Sequence, residues 1–489
     1  MAIRKQRLAT ALSVVALLAG CSPGGGSTAT SGGSTSSTAS APTPAPSQSP
    51  ASGTCTLRAR QDWAFAQLRE WYLFPETLPA SLDPAPFTTV SDYIDALTAT
   101  ARSQNRDRFF TFITSISGEN AFFNAGASAG FGVRLAYDSA NRLFVVESFE
   151  GAPALAAGID RGAQIVAVGT TTSNLQTVAS LLASGGGNAV TNALGPNTAG
   201  TVRVLQITDA AGTRTVTVTK ADFSLTPVSS RYGAQIINDG GRRVGYINLR
   251  TFISTADQQL RDAFANFRAQ GITDVIIDFR YNGGGLVSTS ELMGDLLGRN
   301  RSTSEVFSIT AFRPEKASSN STRNFATVAQ SIAPTRIAFI GTSGTASASE
   351  LVINSMIPYL RSNVALIGTN TFGKPVGQIA LDQSACDDRL RVVAFATQNA
   401  NRRGDYYTGL ASVVEASCQA PDDFTRQLGD PQEASTRAAL NYLAGQSCTP
   451  VSAGTGIGAQ SATATLVRDH QLLSPDRPDP MQREVPGAF

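Results

Sequence analysis

A serine and a lysine that could act together as nucleophile and base lie in two successive loops. Ser349 is the last serine of Thr-Ala-Ser-Ala-Ser-Glu, and Lys374 lies within Thr-Phe-Gly-Lys-Pro-Val-Gly-Gln. A serine hydroxyl is a weak nucleophile and needs a neighbouring base to take its proton. The chain has one histidine, His470, in a Pro- and Ser-rich stretch after the last predicted folded element. We therefore expect a lysine base instead of a Ser-His-Asp triad.

Three loops that follow predicted strands carry the unusual residues, and α/β folds place sites at such positions. The first, 278–285, contains three consecutive glycines whose N–H groups could stabilise an oxyanion. The second places Ser349 at a helix N-terminus, and the third holds Lys374, which must be buried to act as a neutral base. Taken singly, each loop has a simpler interpretation: a flexible turn, a helix cap and a solvated charge.

Together the three loops resemble the carboxyl-terminal processing proteases, also called tail-specific peptidases. That family carries its nucleophile as the last serine of Ser-Ala-Ser-Ala-Ser-Glu, which corresponds to Ser349. The resemblance implies that Lys374 is the general base and that Gln378 orients it. It also implies that the N–H groups of Gly284 and Glu350 hold the oxyanion.

Several positions depart from the pattern of that family. Thr345 replaces the first serine of the run, Phe279 the usual leucine, Gly283 the common proline and Pro375 the common glycine. Ile357-Pro358 replaces a Gln-Asp doublet. None of these changes removes a proposed catalytic group, so we predict an active member of a divergent branch.

Residues 126–222 read as short strands with two helices, in an order that resembles a circularly permuted PDZ domain of bacterial proteases. The resemblance implies that backbone N–H groups of one loop hold the terminal carboxylate of a peptide, which adds a strand to the sheet edge. An unrelated β-rich insert is the alternative. The carboxylate-binding loop is predicted at Gly130, Phe131, Gly132 and Val133.

The remaining segments complete an α/β fold: a layered protease core with partly parallel strands at 229–448, and a small N-terminal helical domain at 55–125. Hydrophobic periodicity and end signals predict helices over 89–103, 175–183, 256–269 and 349–357, the last ended by Pro358, and a strand over 364–368. Residues 449–489 are rich in Ser, Ala, Pro and Asp and are predicted to be disordered. A sharper hypothesis is that the apolar last residues, ending in Phe489, enter the chain's own PDZ groove as an internal inhibitor.

The first residues are typical of an exported lipoprotein. Basic residues, a short apolar run and Leu-Ala-Gly-Cys predict a signal peptide at 1–20 and lipidation of Cys21, with ordinary cleavage as the alternative. Residues 21–54, rich in Gly, Ser and Pro, would form a flexible tether. We therefore expect a lipid-anchored protein in the cell envelope, on the periplasmic side of a membrane, and Ser22 is compatible with an outer membrane.

Four further cysteines predict two disulfides, since exported chains form them readily. We pair Cys386 with Cys418, because they flank one strand-rich segment, and Cys55 with Cys448. No Cys-x-x-Cys or His-rich spacing accompanies them, so no metal or other cofactor is expected. The net charge of +2, with acids and bases interspersed, gives no indication of a nucleic-acid partner.

These features predict a serine endopeptidase that cleaves extracytoplasmic proteins near apolar C-termini through a Ser-Lys dyad. One alternative is a lipid-anchored PDZ protein that binds peptides and has an inactive protease core. A second is an esterase on the same layer, although no Gly-x-Ser-x-Gly surrounds Ser349. The sequence does not determine the physiological substrate or the oligomeric state.

Overall fold

A computed structural model describes residues 55–452 and 470–489. The predicted signal peptide, Cys21 and the tether lie outside these residues. In the described part of the chain, no helix is both long and apolar enough to span a bilayer.

The segment 55–125 is mainly helical and packs onto the core. A break at Thr98, whose hydroxyl bonds to the Ile94 carbonyl (3.0 Å), divides the single helix expected over 89–103. β1 pairs antiparallel with the core strand Asp388–Gln398. The elements are α1 (Leu57–Trp71), a 3₁₀ turn (Pro75–Thr77), α2 (Val90–Leu97), α3 (Ala99–Ser103), β1 (Phe112–Ser115) and α4 (Ile116–Ala125).

Residues 126–222, called the groove domain below, form an antiparallel sheet packed against one long helix. The sheet order is β3-β4-β5-β7-β8, with β6 beside β5 and β2 paired to β9. The helix predicted at 175–183 runs to Leu194, through two non-helical residues, Gly185 and Gly186. The elements are β2 (Ala127–Gly130), β3 (Val133–Tyr137), β4 (Leu143–Ser148), α5 (Pro153–Ala156), β5 (Gln164–Gly169), a 3₁₀ turn (Thr172–Asn174), β6 (Gln176–Thr177), α6 (Val178–Leu194), β7 (Val202–Asp209), β8 (Gly212–Thr219) and β9 (Ala221–Ser224).

The core domain, residues 229–448, contains a six-stranded sheet and an antiparallel sheet. In the six-stranded sheet the order is β10-β11-β12-β15-β16-β19, and its strands from β11 to β19 are parallel. The antiparallel sheet has the order β1-β18-β13-β14, with β17 beside β18. The strands are β10 (Gln235–Asp239), β11 (Arg242–Asn248), β12 (Asp274–Asp278), β13 (Val306–Phe312), β14 (Ser321–Asn324), β15 (Arg336–Gly341), β16 (Val364–Gly368), β17 (Val376–Gln383), β18 (Asp388–Gln398) and β19 (Ala416–Gln419).

Helices cover both faces of the six-stranded sheet, because its central strands are apolar on both sides. Val275 and Ile277 of β12 face the cluster formed with α7, α8 and α9, whereas Ile276 faces the cluster formed with α10. The helix expected to end at Pro358 continues to Leu360. The helices are α7 (Ala256–Ala269), α8 (Val287–Leu297), α9 (Ala348–Leu360) and α10 (Ala434–Leu443), with 3₁₀ turns at Pro314–Ser319, Arg361–Asn363, Ser384–Cys386 and Leu410–Ser412.

Residues 470–489, called the tail segment below, are ordered, so the prediction of disorder is wrong for this part of 449–489. The segment forms β20 (Gln471–Leu472), which pairs with β3, and α11 (Pro480–Glu484). The His470 ring lies 3.8 Å from the ring of Phe424, centroid to centroid. Burial of apolar side chains such as Leu473, Val485 and Phe489 explains why a segment of polar composition folds here.

The predicted disulfide pairing is also wrong, although all four predicted cysteines form disulfides. Cys55 bonds to Cys386, and Cys418 bonds to Cys448. Long-range packing decides the pairing, because α1 lies on β18 and brings Cys55 to the turn that precedes that strand. Cys418 lies in β19. The next residue of that strand, Gln419, donates its N–H to the carbonyl of Thr449, the residue that follows Cys448 (2.7 Å).

Candidate active site

Three loops meet at the carboxyl ends of the neighbouring parallel strands β12, β15 and β16. Their backbones bond to one another: Phe279 N–H donates to the Ile340 carbonyl (2.9 Å), and Phe372 N–H donates to the Thr345 carbonyl (2.9 Å). The parallel register therefore positions the loops, which are far apart in the sequence, as one unit.

Ser349 lies in the first turn of α9 and is fully buried. Its hydroxyl donates a hydrogen bond to the Asn282 carbonyl oxygen of the Gly-rich loop (3.1 Å). The Ser347 residue that precedes the helix has a positive φ of 55°, which bends the chain sharply into α9. The hydroxyl therefore meets the Gly-rich loop at the helix N-terminus.

Lys374 is enclosed by groups from the helical segment and from β17. Its ammonium donates to the Gln378 side-chain oxygen (3.1 Å) and lies 5.0 Å from the centre of the Phe110 ring. The Gln378 amide in turn donates to the Phe110 carbonyl oxygen. Burial lowers the pKa of the Lys374 ammonium below its ordinary value, because desolvation disfavours the charged form.

The Glu350 carboxylate joins the serine turn to the lysine loop. It accepts hydrogen bonds from the N–H groups of Ser347 (3.0 Å), Gly373 (2.7 Å) and Lys374 (2.8 Å), and from the Thr371 hydroxyl (2.6 Å). Burial raises the pKa of this carboxyl group. The sequence predicts a role for the Glu350 N–H alone, although Ser347-x-x-Glu350 is a recognisable capping-box pattern.

The structure places the two predicted catalytic side chains in adjoining loops, each hydrogen-bonded to another group. The Ser349 hydroxyl bonds to Asn282 and the Lys374 ammonium to Gln378. Among the hydrogen bonds of the described residues, none joins Ser349 Oγ to Lys374 Nζ. A proton transfer between the two groups therefore requires the Ser349 hydroxyl to leave the Asn282 carbonyl, whereas Lys374 can keep its bond to Gln378.

Both predicted oxyanion donors also have partners within the protein. Gly284 N–H donates to the Asn282 side-chain oxygen (2.9 Å), and the Glu350 N–H faces the Ser347 hydroxyl in the capping box. Gly284 has a φ of 118°, and a Cβ there would lie 2.7 Å from Ser347 Cβ, so only glycine fits. Asn282, which sequence reasoning did not single out, accepts a hydrogen bond from the predicted nucleophile Ser349 through its carbonyl and one from the predicted oxyanion donor Gly284 through its side chain.

The loop predicted to hold a carboxylate bonds to the tail segment. The N–H groups of Gly132 and Val133 donate to the Phe489 carbonyl oxygen at 2.9 Å and 3.2 Å. A Cβ at Gly130 would lie 2.8 Å from the Phe489 carbonyl carbon, so the close approach also requires glycine there. The Phe131 side chain is buried in the core of the groove domain.

Within residues 55–452 and 470–489, no group of three or more His, Cys, Asp and Glu side chains could hold a metal ion.

Residues 243–404 match the model of peptidase family S41. The chain is 28% identical to the chloroplastic C-terminal processing peptidase of Tetradesmus obliquus over 277 residues, which are 53% of this chain and 54% of the relative. It is 25% identical to a carboxyl-terminal-processing protease of Synechocystis sp. over 328 residues, 65% of this chain and 69% of the relative. The chain thus spans about half the length of the first of these relatives.

One solved structure shares the fold over most of the chain. A crystal structure assigned to the S41 proteases, from Bacteroides fragilis, covers 78% of this chain and 97% of its own, with a TM-score of 0.60 and 23% identity. The prediction of a mixed α/β fold is confirmed. Residues 243–404 are therefore similar to peptidase family S41, and the chain is similar over part of its length to carboxyl-terminal processing proteases.

Proposed function

We propose that the protein is a serine endopeptidase in which Ser349 is the nucleophile and Lys374 the general base. The observation that carries this proposal is the Glu350 carboxylate, which bonds to the backbone on both sides of the dyad. The serine turn and the lysine loop are therefore held together as neighbours. The lowered pKa of Lys374 supports the role, because a base must be neutral to accept a proton.

In the proposed reaction, the neutral Lys374 amine takes the Ser349 proton while Oγ attacks the carbonyl carbon of the scissile peptide bond. The tetrahedral intermediate collapses, the C–N bond breaks and the Lys374 ammonium gives its proton to the leaving amine. Water, deprotonated by the same lysine, then hydrolyses the ester on Ser349. Gln378 positions the amine by accepting a hydrogen bond from it (3.1 Å).

The oxyanion would be held by the N–H groups of Gly284 and Glu350. For this to occur, the Asn282 side chain must release the Gly284 N–H, and the Ser347 hydroxyl must release the Glu350 N–H. The described arrangement is accordingly a resting one, and a bound peptide must supply the energy for the rearrangement.

The proposed substrates are extracytoplasmic proteins or peptides with apolar C-termini. The groove domain would act as a PDZ-like module, because β3 already pairs with an added strand and the Gly132 and Val133 N–H groups already bond to a carbonyl oxygen. Lipidation at Cys21 and a position on the periplasmic side of a membrane remain part of the proposal. Both rest on the sequence.

The test is peptide cleavage by the purified chain and by Ser349→Ala, with an unfolded protein ending in an apolar peptide as substrate. We expect Ser349→Ala to lower kcat/KM by about 10³-fold or more. Ser343→Ala, which changes an exposed serine of the same loop, should retain activity. Cleavage by Ser349→Ala at the original rate would refute the nucleophile.

An active-site serine probe separates the endopeptidase from a peptide-binding protein with an inactive core. Mass mapping should locate the probe on Ser349 in the original chain and on no residue of Ser349→Ala. An unlabelled Ser349 in a chain that binds peptides would favour the binding protein. Turnover of simple esters without peptide cleavage would favour the esterase.

A further inference from the structure

The tail segment covers the free edge of β3 in the groove domain. Phe489 N–H donates to the Val133 carbonyl (2.8 Å), Leu135 N–H donates to the Gly487 carbonyl (2.8 Å), and Arg134 pairs antiparallel with Ala488. Leu473 N–H donates to the Leu135 carbonyl (2.9 Å), and β20 continues the pairing along β3. The edge that an external peptide would extend is thus already occupied by this chain.

Apolar contacts hold both ends of this occupant. The Phe489 side chain is 5% exposed and packs in the core of the groove domain with Phe131. The α11 residue Met481 and the following Val485 pack on Phe122 of the helical segment. The segment is therefore buried against two parts of the protein, as a bound peptide would be.

The same segment also contacts the catalytic loops. The Glu484 carbonyl accepts a hydrogen bond from Gly283 N–H (2.9 Å). The Glu484 carboxylate attracts the Lys374 ammonium and opposes the lowering of the lysine pKa that burial causes. The Arg483 guanidinium lies 3.5 Å from the centre of the Phe112 ring, which places this turn between the active site and the helical segment.

The hydrogen bond between the Gly283 N–H and the Glu484 carbonyl determines which group lies beside the Ser349 hydroxyl. In a trans peptide unit the C=O and N–H groups point to opposite sides. The N–H of the Asn282–Gly283 unit points to Glu484, so its carbonyl points the other way and accepts a hydrogen bond from the Ser349 hydroxyl. The proposed Gly284 and Glu350 N–H groups would hold an oxyanion, and this orientation places a carbonyl oxygen beside the nucleophile, which opposes negative charge there.

We infer that the tail segment is an intramolecular ligand of the groove, and that it inhibits the enzyme by keeping the Asn282–Gly283 peptide turned away from catalysis. The inhibitory role rests on the proposed function. The occupancy of the groove by the tail segment does not depend on it. Its competitor is a peptide that adds an antiparallel strand to β3 and ends in a bulky apolar residue. Such a peptide can reach the groove only when the tail segment has left.

Peptide binding to chains that carry Ser349→Ala tests the occupancy without any cleavage. The probe is a fluorescent peptide with the sequence of residues 480–489 and a free carboxylate. If the tail segment occupies the groove for most of the time, the apparent affinity for the probe is reduced by the fraction of chains whose groove is free. A tethered segment competes with the probe at an effective concentration of about millimolar. We expect Phe489→Asp, which places a charge in the apolar site, to bind the probe about tenfold more tightly or better.

Ser474→Asp is the matched control, because it adds the same charge at an exposed position of the tail segment. It should bind the probe as the unaltered tail does. Deletion of 480–489 is a second variant that removes the occupant outright and should reproduce the gain. Equal probe affinity in all four chains would overturn the inference.

Amide hydrogen exchange on the unaltered full chain needs no variant. The amides of Leu135 and Phe489 should be protected, and excess probe peptide should make the Phe489 amide exchange faster. A Phe489 amide that exchanges as fast as in the free peptide would overturn the inference.

A separate measurement addresses inhibition. With Ser349 intact, deletion of 480–489 should raise kcat/KM for a protein substrate about tenfold. Tighter probe binding together with an unchanged, measurable kcat/KM would refute inhibition while leaving the occupancy standing. Tighter probe binding with no cleavage in any chain would refute the proposed peptidase instead, so the two failures are distinguishable.

Discussion

Two lysines, Lys374 in the active-site loops and Lys220 in the groove domain, are desolvated in much the same way but bonded differently. Burial lowers the pKa of both, and that of Lys220 falls to about 8. Lys220 donates to the Gly195 carbonyl and to the Asn197 side-chain oxygen, each at 2.8 Å. Lys374 donates to one side chain, that of Gln378.

The difference shows that a lowered pKa does not by itself identify a catalytic base. Lys220 lies 4.6 Å from the centre of the Phe131 ring, and its partner Asn197 donates to Asp479 of the tail segment (3.0 Å). These contacts therefore suit Lys220 to support the proposed peptide-binding groove. Lys374 lies in the loop that Glu350 joins to the serine turn, and this position is what supports the proposed role of its amine as a base.

The largest expected effect is that of Lys374→Met. Loss of the base should lower kcat/KM for peptide cleavage by about 10³-fold. Affinity for a shorter probe of residues 487–489, measured in a chain without residues 480–489, should not change, because Lys374 lies outside the groove and this probe lacks Glu484. A variant that still cleaves at the original rate would remove the distinction between the two lysines.

Gly283→Ala should displace the tail segment from the catalytic side. A Cβ at this position would lie 2.7 Å from the Arg483 carbonyl oxygen and 3.0 Å from that of Glu484. An alanine at position 283 therefore fits only when the tail segment moves away. The readout is a shorter probe of residues 487–489, which lacks the residues that a Cβ at Gly283 would meet. We expect this shorter probe to bind about tenfold more tightly in the Ser349→Ala background. In the chain lacking 480–489, where no tail remains to be displaced, the same substitution should leave its affinity unchanged.

Lys220→Met should have the opposite pattern from Lys374→Met. Loss of two hydrogen bonds at the end of the groove should weaken probe binding about fivefold in the chain lacking 480–489. KM for a peptide substrate should rise while kcat stays the same. A fall in kcat with unchanged KM would assign Lys220 to the chemistry and contradict the comparison.

The pH dependence should distinguish the lysines further. Activity requires neutral Lys374, so kcat/KM should rise with pH and level off below the ordinary lysine pKa of 10.5. Burial lowers the pKa of the Lys220 ammonium to about 8, so this group could also produce a rising limb. The limb should nevertheless persist in Lys220→Met, which lacks that ammonium.

The smallest expected effect is that of Glu484→Gln on the same limb. The charged groups that act on Lys374 are Glu484, Asp107, Arg483 and Arg391. The Glu484 carboxylate favours the ammonium, so its loss should lower the pKa of Lys374 and move the rising limb to lower pH. A shift to higher pH would show that Glu484 does not face the ammonium as described.

Local sequence signals predicted much of the fold. The helix Ala256–Ala269 and the strand Val364–Gly368 have the predicted bounds, because hydrophobic periodicity and the residues that end each element are local properties. The Gly-rich loop, the serine turn and the lysine loop follow their strands where the sequence predicts them. The roles of Ser349, Lys374 and Gln378 in catalysis stay predictions.

Contacts between distant parts of the chain decided the rest. The cysteine pairs depend on α1 lying against β18, and the order of the tail segment depends on apolar sites in the groove domain and beside α4. The partner of the Ser349 hydroxyl depends on the orientation of one peptide unit, which Glu484 fixes from the tail segment. The sequence by itself determined which chemical groups are available, because residue type and spacing are local, and tertiary packing alone decided which of them meet.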